Sequence, residues 1–402
     1  MDNGVNRRNF LKAAAGATFI MANSSAVHSA QANSKIEIGL IGCGGRGPWI
    51  GQLFEQNANA KIVAVHDYFR DRADEAGQRF GIDKSRRFVG LDGYKKMLEG
   101  KLDAVAIISP PCFHPEQTVA AIDAGKHVYL AKPIAVDVPG ALSIVEAADK
   151  VRDKLTVLVD FQTRVNEFYQ GAVQRVYDGL IGEPVCGQAY YHDGRLGIKM
   201  APGSEVARLR NWVFDKALSG DIIVEQNIHV LDVANWFLRS HPVKAVGTGG
   251  RKARVDVGDC WDHFAVIFTY PNGFILDFSS GQFTYGYSDL CVRIYGSKGT
   301  ADTHYGGNVV IRAKTGGYRG GETRSIYQDG AISNIKAFCA SLENKKYLNN
   351  AQESANSTLT SILGRTAAYE GRMVTWDEMM KANAKMDLKL NLPADGPDTK
   401  PA

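Results

Sequence analysis

A glycine-rich loop near the start of the chain constrains the fold more than any other feature. The segment G-C-G-G-R-G at residues 42–47 follows an apolar run at 36–41 and precedes a helix-like stretch. In that setting a G-x-G-x-x-G motif predicts a strand, a tight turn and a helix whose N-terminal N–H groups bind a pyrophosphate. The residues expected to contact a dinucleotide here are Gly42, Gly44, Gly45, Arg46 and Gly47.

The chain up to about residue 160 alternates short runs rich in Val and Ile with amphipathic stretches of helical length. This alternation is typical of βαβ units in a doubly wound parallel sheet. Strands are predicted at residues 36–41, 61–66, 104–109, 127–130 and 156–161, and helices at 71–80 and 115–124. We therefore predict a Rossmann domain over residues 35–160.

An acidic residue ends the second predicted strand. Asp67 follows Gly47 by 20 residues, the position from which a carboxylate accepts hydrogen bonds from an adenosine ribose diol. This arrangement favours NAD as the cofactor. Arg70 lies close by and could accommodate a 2′-phosphate, so NADP is the less favoured alternative.

The pattern changes after about residue 164. One helical stretch is followed by a strand at 185–192, a polar loop at 202–211, a helix at 226–238, and strands at 263–269, 273–278, 291–295 and 308–311. A glycine-rich surface loop at 316–321, helices at 331–342 and 354–373, and a flexible tail at 393–402 complete the prediction. Runs of strands after a helical crossover predict an α+β domain over residues 161–392 with a large, mostly antiparallel, open sheet. We expect the open face to support a homo-oligomer, a dimer or a tetramer.

Residues 1–32 differ from the rest of the chain. The pair Arg7-Arg8, a short apolar stretch at 13–22 and small residues at 30–32 are typical of a secretory signal. Paired arginines resemble signals of the bacterial Tat system, which implies export of the folded protein to the periplasm. A frayed amphipathic helix is the alternative. No apolar run reaches the roughly 18 residues of a spanning helix, so no stable membrane insertion is expected.

Composition excludes several other classes of protein. The chain of 402 residues is 45% hydrophobic and 22% charged, as in soluble globular proteins. A net charge of +4, spread along the chain, provides no basic patch for nucleic acid. The six cysteines are scattered without metal-ligand spacing, so we expect no metal site and buried free thiols, with a disulfide as the alternative.

Three further motifs resemble those of one family. The segment S-P-P-C-F-H at residues 109–114 follows one predicted strand, and A-K-P at 131–133 follows the next. Glu225 precedes His229 by four positions and Asp232 follows it by three, a spacing that would put all three on one face of a helix. Together these segments resemble the T-P-x-x-x-H, E-K-P and acid–histidine signatures of the glucose–fructose oxidoreductase and inositol dehydrogenase family, Gfo/Idh/MocA. The resemblance covers essentially all of the chain after the signal.

The resemblance implies roles for particular side chains. Lys132 is expected at the nicotinamide, where it donates a hydrogen bond to the reacting hydroxyl. His229 is expected to accept the hydroxyl proton, a task that suits a histidine of near-neutral pKa. Glu225 would orient or charge-stabilise the imidazole. The further cofactor contacts implied are Ser109, Pro110, His114, Lys132 and Pro133.

Two residues depart from the family pattern. Ala131 replaces the usual Glu before Lys-Pro, and Glu225 stands where many members carry Asp. These departures fit a divergent branch with an altered substrate or reaction better than a plain inositol dehydrogenase. Aromatic rings stack on sugar faces and arginine binds hydroxyls. The candidate substrate-binding residues are Gln162, Arg164, Tyr191, His192, Arg208, Trp212 and His263.

Export restricts how the reaction is completed. Free nicotinamide nucleotides are scarce outside the cytoplasm, so a tightly bound cofactor is expected. The predicted function is oxidation of a hydroxyl on a sugar or glycoside, with glycoside 3-dehydrogenation as the favoured reaction. The alternatives are an NAD-dependent glycoside hydrolase or lyase that re-reduces its own transient ketone, and a non-catalytic sugar-binding protein.

Overall fold

A six-stranded parallel sheet forms the first domain. The computed structural model describes residues 35–397, so the predicted signal lies outside the described residues. The strands are β1 (Ile36–Ile41), β2 (Ala60–Asp67), β3 (Arg87–Val89), β4 (Ala104–Ile107), β5 (His127–Ala131) and β6 (Val157–Asp160). The helices between them are α1 (Arg46–Asn57), α2 (Arg70–Arg79), α3 (Gly93–Leu98), α4 (His114–Asp123) and α5 (Val138–Lys150). The strand order is β3-β2-β1-β4-β5-β6, which confirms the predicted Rossmann fold.

Continuous apolar runs explain why β1, β4 and β6 lie inside this sheet. β4 and β6 are buried along their whole length and β1 along nearly all of it, as expected for parallel strands covered on both faces. The sequence pattern missed β3. This strand of 3 residues is only half-buried at the edge of the sheet and has no apolar run to mark it.

A nine-stranded sheet forms the second domain. Its strands are β7 (Pro184–Asp193), β8 (Lys244–Gly250), β9 (His263–Thr269), β10 (Ile275–Gln282), β11 (Asp289–Gly296), β12 (Gly299–His304), β13 (Asn308–Ala313), β14 (Gly317–Glu322) and β15 (Val374–Thr375). The order is β14-β13-β12-β11-β7-β10-β9-β8-β15. β7 and β10 pair in parallel, and the other neighbours are antiparallel. The predicted α+β architecture is therefore confirmed.

Helices join the two domains. Those of the second half are α6 (Glu167–Tyr177), α7 (Glu205–Arg210), α8 (Lys216–Ser219), α9 (Ile222–Glu225), α10 (Ile228–Leu238), α11 (Ile326–Glu343), α12 (Ala351–Glu370) and α13 (Trp376–Ala382). α11 returns to the first domain and packs against α1 and β6. α12 packs against α5 of the first domain and against β8, β9 and α10 of the second. Within residues 35–397, no helix combines the length and apolar character that crossing a membrane requires.

Three local predictions were wrong. The glycine-rich segment predicted as a surface loop is the edge strand β14, because backbone pairing with β13 requires no apolar side chain. The polar loop at 202–211 contains α7, which Ser204 caps by accepting a hydrogen bond from the N–H of Ala207. The helix predicted at 226–238 is α10, which begins at Ile228, but Glu225 ends the separate helix α9, so Glu225 and His229 do not share one face of a continuous helix.

The two faces of the second sheet have different surroundings. α10 packs against β7 and β11 on one face. On the other face, Val246, Ile267 and Ile275 are 45%, 40% and 47% exposed, and they lie on the neighbouring strands β8, β9 and β10. The sheet is therefore open on one side, as the sequence predicted.

The C-terminal segment runs back over the first domain. The sequence predicted a flexible tail from Pro393, but the N–H of Leu91 donates a hydrogen bond to the carbonyl of Ala394 at 2.7 Å. Leu388, Leu390 and Leu392 pack against the buried cluster around Tyr68 and Phe69. Apolar side chains at alternate positions hold this segment in place.

Candidate active site

Two adjoining cavities lie at the carboxyl ends of the parallel strands. The first encloses about 630 Å³ and is lined by Gly42, Gly44 and Asp67. The second, a cleft of about 1800 Å³, is lined by Lys132 and His229. Ligands bind outside the carboxyl ends of strands in doubly wound sheets, so both cavities stand where a cofactor and its substrate are expected. We call them the adenosine pocket and the catalytic cleft.

The glycine loop is built for a close backbone approach. Gly42 has a φ of +90°, and a Cβ atom on it would meet the backbone N of Ser109 at 2.6 Å. A Cβ atom on Gly47 would lie 1.9 Å from the carbonyl oxygen of Gly42. Only glycine allows this turn, which runs from Gly42 and Gly44 at the adenosine pocket to Arg46, the first residue of α1, at the catalytic cleft.

The adenosine pocket is lined by a carboxylate and a guanidinium, those of Asp67 and Arg72. Asp67 accepts hydrogen bonds from the N–H groups of Cys43 at 2.7 Å and Phe69 at 2.9 Å. Arg72, and not the predicted Arg70, lines the pocket. The Nε atom of Arg72 is buried without a hydrogen-bond partner among the described residues. The pocket therefore fits a nucleotide that carries ribose hydroxyls and phosphate oxygens.

The family-type residues after β4 and β5 have separate tasks. Ser109 and Pro110 line the adenosine pocket. The ring nitrogens of His114 lie 2.7 Å from the carbonyl oxygen of Pro133 and 2.8 Å from that of Ser109. Burial lowers the pKa of His114 to about 4, so the ring is neutral and donates to one carbonyl at a time. His114 joins the two loops from outside both cavities, and Pro133, which follows a cis peptide bond, does not line them either.

Lys132 is paired with Glu225 across the two domains. Its Nζ atom donates to the carbonyl oxygen of Glu225 at 2.5 Å and lies 3.4 Å from the carboxylate Oε1. Burial lowers the pKa of Lys132, and the charge of Glu225 opposes that shift. The sequence predicted that Glu225 orients His229, but the carboxylate of Glu225 accepts its hydrogen bond from Lys132 and forms a salt bridge with it. Glu225 therefore positions the lysine.

His229 has the properties of a proton acceptor. Its side chain lies in the cleft beside Tyr305, with ring centroids 5.3 Å apart, and its Nδ1 atom is buried without a partner among the described residues. Burial, followed by the positive charges of Lys132 and Arg46, lowers the pKa of His229 well below its ordinary value of 6.5. The imidazole is therefore neutral near pH 7 and can accept a proton.

Arg46 reaches from the glycine loop into the catalytic cleft. Its guanidinium donates to the buried carboxylate of Asp160, and it lies 5.2 Å from the ring of Trp49 and 5.0 Å from that of Tyr327. The sequence assigned Arg46 to the cofactor, but it did not indicate Asp160, Tyr305 or Tyr327 as part of the site. These residues come from distant segments and carry no local motif.

The predicted substrate residues separate into two groups. Gln162, Tyr191 and Trp212 line the catalytic cleft. The other four candidates do not line it: Arg164, His192, Arg208 and His263.

Each of these four residues lies outside the catalytic cleft for a physical reason. Arg164 donates to the buried carboxylate of Asp232 at 2.8 and 2.9 Å, which makes both structural. His192 follows Tyr191 along β7, and successive strand residues point to opposite faces. His192 and His263 therefore line a separate depression on the other side of the sheet. Arg208 is bound to Asp215 and to two carbonyl groups of the C-terminal segment.

Comparison with known proteins agrees with this geometry. Residues 36–159 match the model described as oxidoreductase family, NAD-binding Rossmann fold, and residues 169–302 match the GFO/IDH/MocA C-terminal domain. Together the two matches span more than half of the chain. The chain belongs to the Gfo/Idh/MocA family. It is thus an oxidoreductase with an NAD-binding first domain.

Individual relatives act on sugar-like molecules. The chain is 29% identical over 271 residues to an inositol 2-dehydrogenase of Burkholderia cenocepacia, covering 66% of this chain and 73% of that protein. A scyllo-inositol dehydrogenase of Lactobacillus casei with bound NAD(H) and scyllo-inositol aligns with a TM-score of 0.67 at 21% identity, over 85% of this chain and 99% of that one. A levoglucosan dehydrogenase in complex with NADH aligns with a TM-score of 0.69 at 17% identity, over the same shares, 85% and 99%. These structures support the fold.

The glycine loop provides a matched pair of variants. Gly47→Ala forces a Cβ atom into the carbonyl of Gly42, whereas a Cβ atom on Gly45 meets nothing within 4 Å. We expect Gly47→Ala to weaken NADH binding at least about 10-fold, since the loop must shift away from the phosphates. Gly45→Ala should bind nearly as wild type does. Fluorescence titration with NADH measures both, and equal affinities would contradict the assignment of the loop.

The neutral state of His229 predicts a pH profile. As the pH falls through the lowered pKa, His229 becomes protonated and can no longer accept a proton, so kcat/KM for alcohol oxidation should fall only below pH 6.5. His229→Asn should lower kcat about 10²-fold or more and remove this acid limb. His241→Asn, which alters a histidine stacked on Trp376, should leave the profile unchanged. An acid limb centred above pH 6.5 would refute the assignment.

Proposed function

We propose that this protein oxidises a hydroxyl-bearing carbon of a sugar or glycoside with NAD as hydride acceptor. The observation that carries the proposal is that a lysine paired with a carboxylate and a neutral, buried histidine line one cleft. Lys132 and His229 line that cleft, which adjoins the adenosine pocket through shared residues such as Ser109. Alcohol oxidation requires this combination, because the hydroxyl must lose its proton as the carbon loses hydride.

The protein residues divide the chemistry among them. NAD, when bound, accepts the hydride and leaves the substrate as a ketone. Lys132 donates a hydrogen bond to the reacting oxygen and stabilises the negative charge that develops there. His229 accepts the hydroxyl proton. Glu225 holds Lys132 in position through its backbone carbonyl and its carboxylate.

The adenosine pocket supports NAD over NADP. Asp67 has two backbone N–H donors fixed on its carboxylate and lies at the end of β2, beside the glycine loop. A 2′-phosphate would meet this carboxylate and repel it, whereas a ribose diol donates to it. Arg72 would then serve the phosphates or the adenine ring instead of a 2′-phosphate.

The cleft lining supports a polyol substrate. Tyr191, Trp212 and Tyr305 provide aromatic faces, and Gln162 provides an oxygen atom that is buried without a partner among the described residues. Aromatic faces with a few polar groups suit the alternating C–H and O–H surfaces of a sugar. The inositol 2-dehydrogenases among the relatives act on a cyclic polyol. We favour 3-dehydrogenation of a glycoside because Ala131 and Glu225 depart from the family pattern.

The segment from α7 to Trp212 supports tight retention of the cofactor. Arg210 donates to Asp71 on α2 at 2.7 and 2.8 Å, and its guanidinium lies 3.7 Å from the ring centroid of Phe69. Leu209 is buried in a cluster with Tyr68 and Phe69. This segment of the second domain thus forms one wall of the adenosine pocket, and we expect it to slow release of the cofactor.

Arg208 connects α7 to the C-terminal segment of the chain. Its Nη2 and Nη1 atoms donate to the carbonyls of Leu388 at 2.7 Å and Lys389 at 3.0 Å. The C-terminal segment therefore restrains α7 in its position over the pocket. A cofactor held in this way suits an exported enzyme, and we propose periplasmic export through the signal at residues 1–32. The open face of the second sheet supports assembly into a dimer or tetramer.

One assay tests the proposed reaction. Sugars and glycosides are added to the purified protein without added cofactor, while nicotinamide absorbance is recorded and products are identified by mass. We expect a lasting rise in reduced nicotinamide and a ketone product, with loss of about 10²-fold or more in Lys132→Met and His229→Asn. If the glycoside is cleaved without a lasting absorbance change, the protein is an NAD-dependent hydrolase or lyase and not a dehydrogenase. Absence of any product would favour a sugar-binding protein.

Retention of the cofactor is tested by release rates. Leu209→Ala removes buried apolar contact over the pocket and should speed NADH release at least about 10-fold. Asp71→Asn removes a partly exposed ion pair worth less than about 1 kcal/mol, so about 2- to 5-fold faster release is expected. Asp256→Asn is the control, because it breaks a comparable pair with Arg195. Stopped-flow fluorescence measures the three rates, and equal rates would exclude this role for α7.

A further inference from the structure

Three metal-binding side chains meet on the open face of the second sheet. Asp289 and Cys291 lie two positions apart on β11, and His304 is the partner of Cys291 on β12. One ligand atom from each residue lies within 4.8 Å of the other two. The Nδ1 atom of His304 is 3.6 Å from Oδ1 of Asp289. Zinc bonds of about 2.0–2.3 Å place tetrahedral ligands about 3.3–3.7 Å apart, so small side-chain rotations complete the geometry.

A second carboxylate orients the histidine. The Nε2 atom of His304 lies 3.1 Å from Oδ1 of Asp302 and 3.5 Å from Nη2 of Arg293, and the tautomer that carries its proton on Nε2 donates to the nearer carboxylate. With that tautomer, the unprotonated Nδ1 atom faces Asp289 and Cys291. A carboxylate behind a ligating histidine is the usual outer support of a zinc site. Arg293 donates to the same oxygen of Asp302 at 3.1 Å and balances its charge.

We propose that Asp289, Cys291 and His304 bind one zinc ion, with Asp302 as the residue that positions His304. A thiolate and a carboxylate together balance the two charges of the ion, and the donor set of sulfur, nitrogen and oxygen suits zinc better than magnesium or calcium. Ion pairs between His304 and the two aspartates would not require a thiol. The buried thiol of Cys291 lies in the same cluster and provides the third donor that a metal ion requires.

The site is separate from the catalytic cleft. Leu290 and Tyr305, the chain neighbours of these ligands, line the cleft on the other side of the sheet. Strand residues alternate between faces, so Asp289, Cys291 and His304 point away from it. The side chain of His304 is 31% exposed and that of Asp289 is 17% exposed, whereas Cys291 is buried. The ion would therefore connect β11 with β12 and keep its fourth position open to the exposed side.

Cobalt provides a direct spectroscopic test. The full chain is treated with a chelator, dialysed and titrated with Co²⁺, which occupies zinc sites and gives a thiolate-to-metal charge-transfer band in the near ultraviolet. We expect one equivalent to bind with this band and Zn²⁺ to displace it. We also expect Zn²⁺ to raise the Tm, because an ion that binds only the folded state stabilises it. A wild-type protein without the band would overturn the proposal.

Matched variants locate the ion. Cys291→Ser should abolish the band and the Tm increase, whereas Cys186→Ser, at an exposed cysteine on the neighbouring strand β7, should retain both. Asp302→Asn should keep the band and weaken binding about 10- to 100-fold. Circular dichroism of the metal-free variants confirms that they fold. Persistence of the band in Cys291→Ser would overturn the proposal. Asp289, Cys291 and His304 do not line the catalytic cleft, so the dehydrogenase assay tests the proposed function independently of this metal site.

Discussion

The contact between Lys132 and Glu225 holds this lysine at the junction of the two domains. Lys132 follows β5, and Glu225 ends α9 just before the chain turns into α10. The side chains are only 15% and 16% exposed, so each charge depends on the other for stabilisation that water no longer provides. Because His229 lies in the first turn of the helix that follows Glu225, the same short segment brings the imidazole and the lysine into one cleft.

The charges within the cleft act differently on neighbouring groups. Lys132 and Arg46 each have a carboxylate partner, Glu225 and Asp160 respectively, whose negative charge favours the charged form of the cation. Among the described residues His229 has no carboxylate partner, and burial together with the same two cations lowers its pKa. A neutral base beside a cationic donor is the arrangement that alcohol oxidation requires. The buried position of these groups strengthens each effect, because little water screens them.

Local motifs predicted the parts of the site that depend on one strand end at a time. The glycine loop, Asp67 and Lys132 each follow a parallel strand, and the carboxyl ends of such strands meet at one edge of the sheet. Side chains that depend on long-range contacts were assigned wrongly. Arg164 was expected at the substrate and instead pairs with Asp232. The roles of Glu225 and Arg208 were misjudged for the same reason, since their partners lie far away in the sequence.

The sequence by itself determined the two-domain plan and the dinucleotide loop, and it predicted Lys132 and His229 for the cleft that they line, because strand periodicity and glycine spacing act over short stretches of chain. Only the tertiary structure decided which side chains share a surface. It placed Tyr191 in the cleft and His192 on the opposite face, brought α7 over the adenosine pocket, and set Cys291 opposite His304 across two strands. Strand register and domain packing decide which side chains come into contact. Both depend on many contacts between distant segments, which no local sequence pattern records.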